Sequence, residues 1–115
     1  MIFAIDPGTR TSGTVLFDPD TGAVREANPR HPNDDLLDLL RNRWTWDTQE
    51  ATAGAPIVAI EQFKAAGGGH GIGGDSVHTI QWTGRFQEAA HPLRVRLVTR
   101  LEVLRHLGIA ANARN

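Results

Sequence analysis

The period of the apolar positions changes several times along the chain, and each change marks an element. Ile2 to Ile5 is a short apolar run closed by Asp6-Pro7-Gly8, which predicts a buried strand entering a turn. Thr14 to Phe17 predicts a second strand, and Asp18-Pro19-Asp20-Thr21-Gly22 concentrates turn formers, so Ala23 to Ala27 is expected to return as a third strand of a hairpin. A helix is expected from Asn33, a good N-cap, with Asp34 and Asp35 at the positive end of its dipole. Leu36, Leu37, Leu40 and Trp44 recur at helical spacing and are expected to face the core. Pro56 to Ile60 predicts a fourth strand, ended by Glu61. Residues 65–74, Ala-Ala-Gly-Gly-Gly-His-Gly-Ile-Gly-Gly, are expected to form a flexible loop, because ordering glycine costs the most backbone entropy. Asp75 is expected to cap a helix over residues 76–90 that carries Val77, Ile80 and Gly84 along one stripe. Leu93, Val95 and Leu97 alternate with Arg94, Arg96 and Val98, the pattern of a half-buried strand. Thr99 and Glu102 fit the S/T-x-x-E capping box and predict a last helix ending near Gly108. The expected order is β-β-β-α-β-α-β-α without internal repeat, an α/β chain whose mixed sheet is covered by helices.

A length of 115 residues suits a single domain, and 40% hydrophobic with 22% charged residues is the balance of an ordinary globular chain. No apolar run approaches the roughly 18 residues of a membrane span, so no membrane partner is expected. The start, Met1-Ile2-Phe3, lacks the basic residues and long apolar stretch of a signal peptide, and the expected location is the cytoplasm. The chain has no cysteine, which excludes disulfides and thiolate metal sites. The net charge of −1 is unevenly spread. Residues 1–84 hold 6 Lys/Arg against 11 Asp/Glu, whereas residues 85–115 hold 6 Arg against 2 Glu. A basic C-terminal third on an acidic molecule can serve as a phosphate-binding face or be a solvated arginine surface.

Asp6 and Glu61 are the carboxylates that need explaining, because each ends an apolar strand where an unpaired charge is costly. If their strands are neighbours, the backbones lie roughly 4.8 Å apart and both carboxylates can reach one cation. Magnesium takes such oxygen ligands and keeps waters that substrate phosphates can replace. Each residue also has a plainer reading: Asp6 as part of an Asp-Pro-Gly turn, Glu61 as the solvent end of its strand. The five histidines offer no metal triad. The glycine-rich segment lacks the Gly-Lys-Ser/Thr ending of a P-loop, so no nucleotide cofactor is expected.

Ile-Asp-Pro-Gly-Thr-Arg-Thr-Ser-Gly-Thr, residues 5–14, resembles the first-strand motif of RuvC-type Holliday junction resolvases, more closely that of their phage relatives. Ala-Ile-Glu-Gln-Phe at 59–63 is similar to the family's second acidic motif. Trp-Thr-Gly-Arg-Phe at 82–86 is similar to the helix after the flexible loop, and Val98 to Leu107 to the basic segment after the fifth strand. The resemblance implies an RNase H-like fold, an antiparallel three-strand start followed by parallel strands. It implies that Asp6 and Glu61 bind two magnesium ions, replaceable by manganese, with Asp6 on the central strand as bridging ligand. Two ions about 3.5–4 Å apart activate a water and stabilise the leaving oxygen of an in-line displacement. Branched DNA is the implied substrate and a homodimer the implied assembly. The nucleic-acid contacts expected on this basis are Phe63, Lys64, Arg85, Arg100 and Arg105, with Phe63 either placed to stack on an exposed base or simply a core phenylalanine ending its strand. Arg94 and Arg96 are further basic candidates, or simply the wet face of their strand.

The family's remaining acidic ligands lie on a C-terminal helix, whereas residues 103–115 contain no Asp or Glu. Either the domain is C-terminally shortened, or its site is completed otherwise, or catalysis is impaired, and the expectation is that these 115 residues hold at most one ion tightly and cleave slowly or not at all. A catalytically weak junction-binding module and an RNA-processing nuclease of related fold are the alternatives. An actin-like ATPase would share the fold, but this chain is too short for the paired domains such proteins use.

Overall fold

In a computed structural model, residues 1–43, 56–62 and 74–99 are described. They form β1 (Ile2–Asp6), β2 (Thr11–Asp18), β3 (Ala23–Pro32), α1 (Asn33–Asn42), β4 (Ile57–Glu61), α2 (Gly74–Ala89) and β5 (Val95–Val98). The strands hydrogen-bond in the order β3-β2-β1-β4-β5. β1 pairs antiparallel with β2, and β2 with β3, while β1–β4 and β4–β5 are parallel. The described residues therefore form a mixed α/β sheet with β1 at its centre, in the expected order of elements. The expected final helix, Trp44, residues 65–73 of the glycine-rich segment, Phe63, Lys64, Arg100 and Arg105 lie outside the described residues.

Alternation decides which face of the sheet is buried. Phe3 and Ile5 of β1, Leu16 of β2, and Val58 and Ile60 of β4 join Leu36, Leu37 and Leu40 of α1 and Phe86 and Ala89 of α2 in one core cluster. Val95 and Leu97 of β5 pack against it. Both helices thus cover the same face, and no described element covers the other. Leu36, Leu40, Ile60, Val58 and Phe86 are fully enclosed, and removing a side chain such as Leu36 costs about 2–5 kcal/mol.

Two strands run longer than the pattern predicts. β2 begins at Thr11, and β3 continues to Pro32 through Pro29. Two prolines would break a central strand, but β3 is an edge strand whose outer groups need no ladder partner. Two register shifts, between Ser12 and Thr14 and between Leu16 and Phe17, each place an extra β3 residue against β2. The hairpin turns where expected: the amide of Gly22 donates to the carbonyl of Asp18 at 2.8 Å, with Gly22 at φ 75°. That is the left-handed region a glycine enters without steric cost.

Asn33 is not the helix cap that its residue type suggests. Pro32 holds the cap position without a side-chain bond, and Asn33 is the first helical residue. Its side chain is buried and turned away from the helix toward the turn after β1. The stripe through Val77, Ile80 and Gly84 lies on the outer side of α2. Phe86 with Thr83 and Ala89 fills the core, and Val77 and Ile80 are 42% and 43% exposed on the outer side. The large ring of Phe86 buries more apolar surface than the β-branched pair, so it sets the rotation of the helix.

Candidate metal centre

β1 and β4 are adjacent, which was the condition for Asp6 and Glu61 to act together. Their register pairs Ile2 with Ile57, Phe3 with Val58, Ala4 with Ala59 and Ile5 with Ile60. The next residue on each strand is Asp6 on one and Glu61 on the other. Both therefore stand at the C-terminal ends of neighbouring parallel strands, with backbones about 4.8 Å apart. Since Phe3, Ile5, Val58 and Ile60 point into the core, alternation puts both carboxylates on the opposite face, which no described element covers. Asp6 is exposed and Glu61 half-buried.

The neighbours complete a row across that face. Gly13 of β2 pairs with Asp6, and Val98 of β5 pairs with Glu61. Gly13 has no side chain, and a Cβ there would lie 3.7 Å from the Cβ of Asp6. The space beside the Asp6 carboxylate is thus left to solvent, an ion or a substrate oxygen. No hydrogen bond or ion pair engages the Asp6 carboxylate among the described residues.

The turn after Asp6 is held from beneath. The Gly8 amide donates to Ser12 Oγ at 3.2 Å, and that hydroxyl donates to Asn33 Oδ1 at 2.6 Å. Asn33 Nδ2 donates to the Gly8 carbonyl at 3.1 Å, and the Asn33 amide to the Arg10 carbonyl at 2.9 Å. Ser12 and Asn33 are each 2% exposed, so these bonds form away from competing water. Gly8 cannot be replaced without moving the turn, because a Cβ would fall 2.1 Å from the Thr11 carbonyl oxygen. Residue types alone did not reveal this bracket. Asn33 read as a cap because Asn commonly caps helices, and its partners lie 21 and 25 residues away.

The donor set fits a hard divalent cation in part. Two neighbouring carboxylates, Asp6 exposed and Glu61 half-buried, suit an ion that keeps several waters. No group of three or more His, Asp or Glu able to hold a metal is found among the described residues.

Of the basic residues expected to touch nucleic acid, Arg85 is described. It projects from α2, in the helical layer behind the sheet, with its guanidinium 4.1 Å from the Trp82 ring centroid. Trp82 in turn lies 5.5 Å from Phe86 and packs on the core. Arg96 pairs with Ala59, and the Arg94 carbonyl accepts from the Val58 amide. By alternation, Arg94 and Arg96 stand on the same face as the carboxylates.

No protein-family model matches this chain, and no curated protein sequence matches it.

Proposed function

We propose that this chain is a divalent-metal-dependent nuclease domain of the RNase H-like, RuvC type that cleaves branched DNA. The observation that carries the reading is the placement of Asp6 and Glu61 side by side on two neighbouring parallel strands, on the face that no described element covers, with Gly13 leaving room beside Asp6. The motif resemblance of residues 5–14 and 59–63 supports it independently.

In this reading Asp6 and Glu61 hold magnesium, or manganese in its place, through their carboxylate oxygens. The bound metal supplies an activated water and charge stabilisation for the phosphodiester. Hydrolysis breaks the bond between phosphorus and the 3′-oxygen, leaving a 5′-phosphate and a 3′-hydroxyl. Gly8, Ser12 and Asn33 keep the Asp6 turn from shifting. Two such domains acting as a homodimer would place one site on each of two strands. The exposed apolar side chains of Val77 and Ile80 on α2 are a surface that such a dimer could bury.

A second reading, a junction-binding module with weak catalysis, is favoured by the absence of a third acidic ligand among the described residues. One panel separates the two: a four-way junction, a linear duplex and a structured RNA, each with and without magnesium. Slow, magnesium-dependent cutting of the junction alone is the expected result. Tight junction binding without cutting supports the second reading, and preferential cutting of RNA overturns the substrate assignment.

A further inference from the structure

We infer that Arg30 is a phosphate-contacting residue of the Asp6–Glu61 site, turned onto the carboxylate row by a β-bulge in the edge strand β3. This rests on the nuclease reading and deepens it by naming a residue that meets the substrate backbone.

The pairings of β2 with β3 locate the bulge. Ser12 pairs with His31 and Thr14 with Asn28, so Pro29 and Arg30 together oppose Gly13. Ser12, Thr14 and Leu16 are the buried residues of β2 and mark its core side. Their partners His31 and Asn28 share that side, and the His31 ring accordingly meets Thr14, Nδ1 to Oγ1 at 3.4 Å. Alternation counted forward from Asn28 puts Pro29 on the other side, and alternation counted back from His31 puts Arg30 there as well. That is the side of Gly13 and Asp6, which pair directly. A regular strand would set one residue against Gly13; the bulge sets two, and so re-aims a side chain.

The local sequence supports this shape. The Asn28 side chain accepts from the Arg30 amide at 3.1 Å, which closes a turn over Pro29. Pro29 has a fixed φ and no N–H to lose from the ladder. Gly13 puts no side chain between Arg30 and Asp6: a Cβ there would lie 3.7 Å from the Asp6 Cβ and 4.0 Å from the Pro29 carbonyl oxygen. The row therefore runs Arg30, Gly13, Asp6, Glu61 across four neighbouring strands. Arg30 stands two strand spacings, of about 4.8 Å each, from Asp6. It is exposed, and no ion pair joins it to Asp6.

An arginine so placed leaves the Asp6 carboxylate to a cation and offers its own charge to an anion beside it. A phosphodiester at the cation brings its oxygens to that flank, and displacement at phosphorus spreads negative charge over them. A guanidinium meets such oxygens through paired N–H donors, which fixes direction as well as charge.

The test is fluorescence anisotropy of a labelled four-way junction and a labelled linear duplex across a salt titration. Calcium, which takes oxygen ligands as magnesium does, is present, and a gel checks that the probes stay intact. Arg30→Gln should weaken binding at low salt and lower the slope of log affinity against log salt by about 0.9, the share of one phosphate contact. Arg30→Lys should restore most of that slope. Arg25→Gln removes the same charge from the same strand, beside Asp18 near the hairpin turn, and should change the slope less. An Arg30→Gln chain that melts with wild type and keeps its slope overturns the contact. An equal loss in Arg25→Gln also overturns it, since the effect would then be one of net charge. Arg30 would in either case only guard the edge strand against pairing with other chains. If the wild-type chain binds neither probe, the nuclease reading itself fails and the Arg30 contact with it.

Discussion

Asn33 shows how one side chain can set the shape of a site it does not enter. It accepts from Ser12, donates to Gly8 and ties the first turn of α1 to the loop behind Asp6. Asn33→Ala leaves the Ser12 hydroxyl and the Gly8 carbonyl without these partners in a buried place. A cost of about 1–3 kcal/mol for each unsatisfied buried group sets the expectation. Urea denaturation of the variant should show a loss in that range, with an unchanged slope against denaturant. A loss under about 0.5 kcal/mol, the size of an ordinary surface change, would mean that the bracket contributes little. At this scale the sequence was only partly legible. The positions of Asp6 and Glu61 could be read because each ends an apolar run, and a charge in such a place calls for a reason. The role of Asn33 could not be read, because a helix cap and a long-range bracket ask for the same residue type.

Among the elements, β1, β4 and β5 were legible because apolar runs and strict alternation leave one buried face. The length of β3 was not, since prolines that normally stop a strand are tolerated at a sheet edge. The rotation of α2 was not either: its apolar residues occupy two sides, and only packing against α1 and β4 shows that Phe86 wins the core. That rotation leaves Val77 and Ile80 outside, with Gly84 farther along the same side and nothing within 4 Å of where its Cβ would be. Replacing both exposed residues by serine should change the stability of one copy by no more than about 0.5 kcal/mol each. If this side is the contact between two copies, sedimentation should show the wild-type chain as a dimer and the double variant shifted toward a single copy. A dimer unaffected by the substitutions would place the contact elsewhere.

For the whole molecule, the sheet does two jobs on two faces. One face, under α1 and α2, holds the core; the other carries Asp6, Glu61, Arg94 and Arg96 at successive rows. The adjacency of β1 and β4 joins these jobs, and it came from topology, which residue spacing could only leave open. The central claim is that this adjacency makes Asp6 and Glu61 one metal-binding unit. The direct measurement is cleavage of a four-way junction at saturating magnesium by Asp6→Asn and Glu61→Gln, with melting of each variant recorded without metal. Each variant should lose more than about 100-fold in rate, the upper end of what losing an outer-shell metal partner costs. Asp6→Asn should melt no lower than wild type, because neutralising one of two neighbouring carboxylates relieves repulsion. Cleavage at the wild-type rate by either variant would contradict the account.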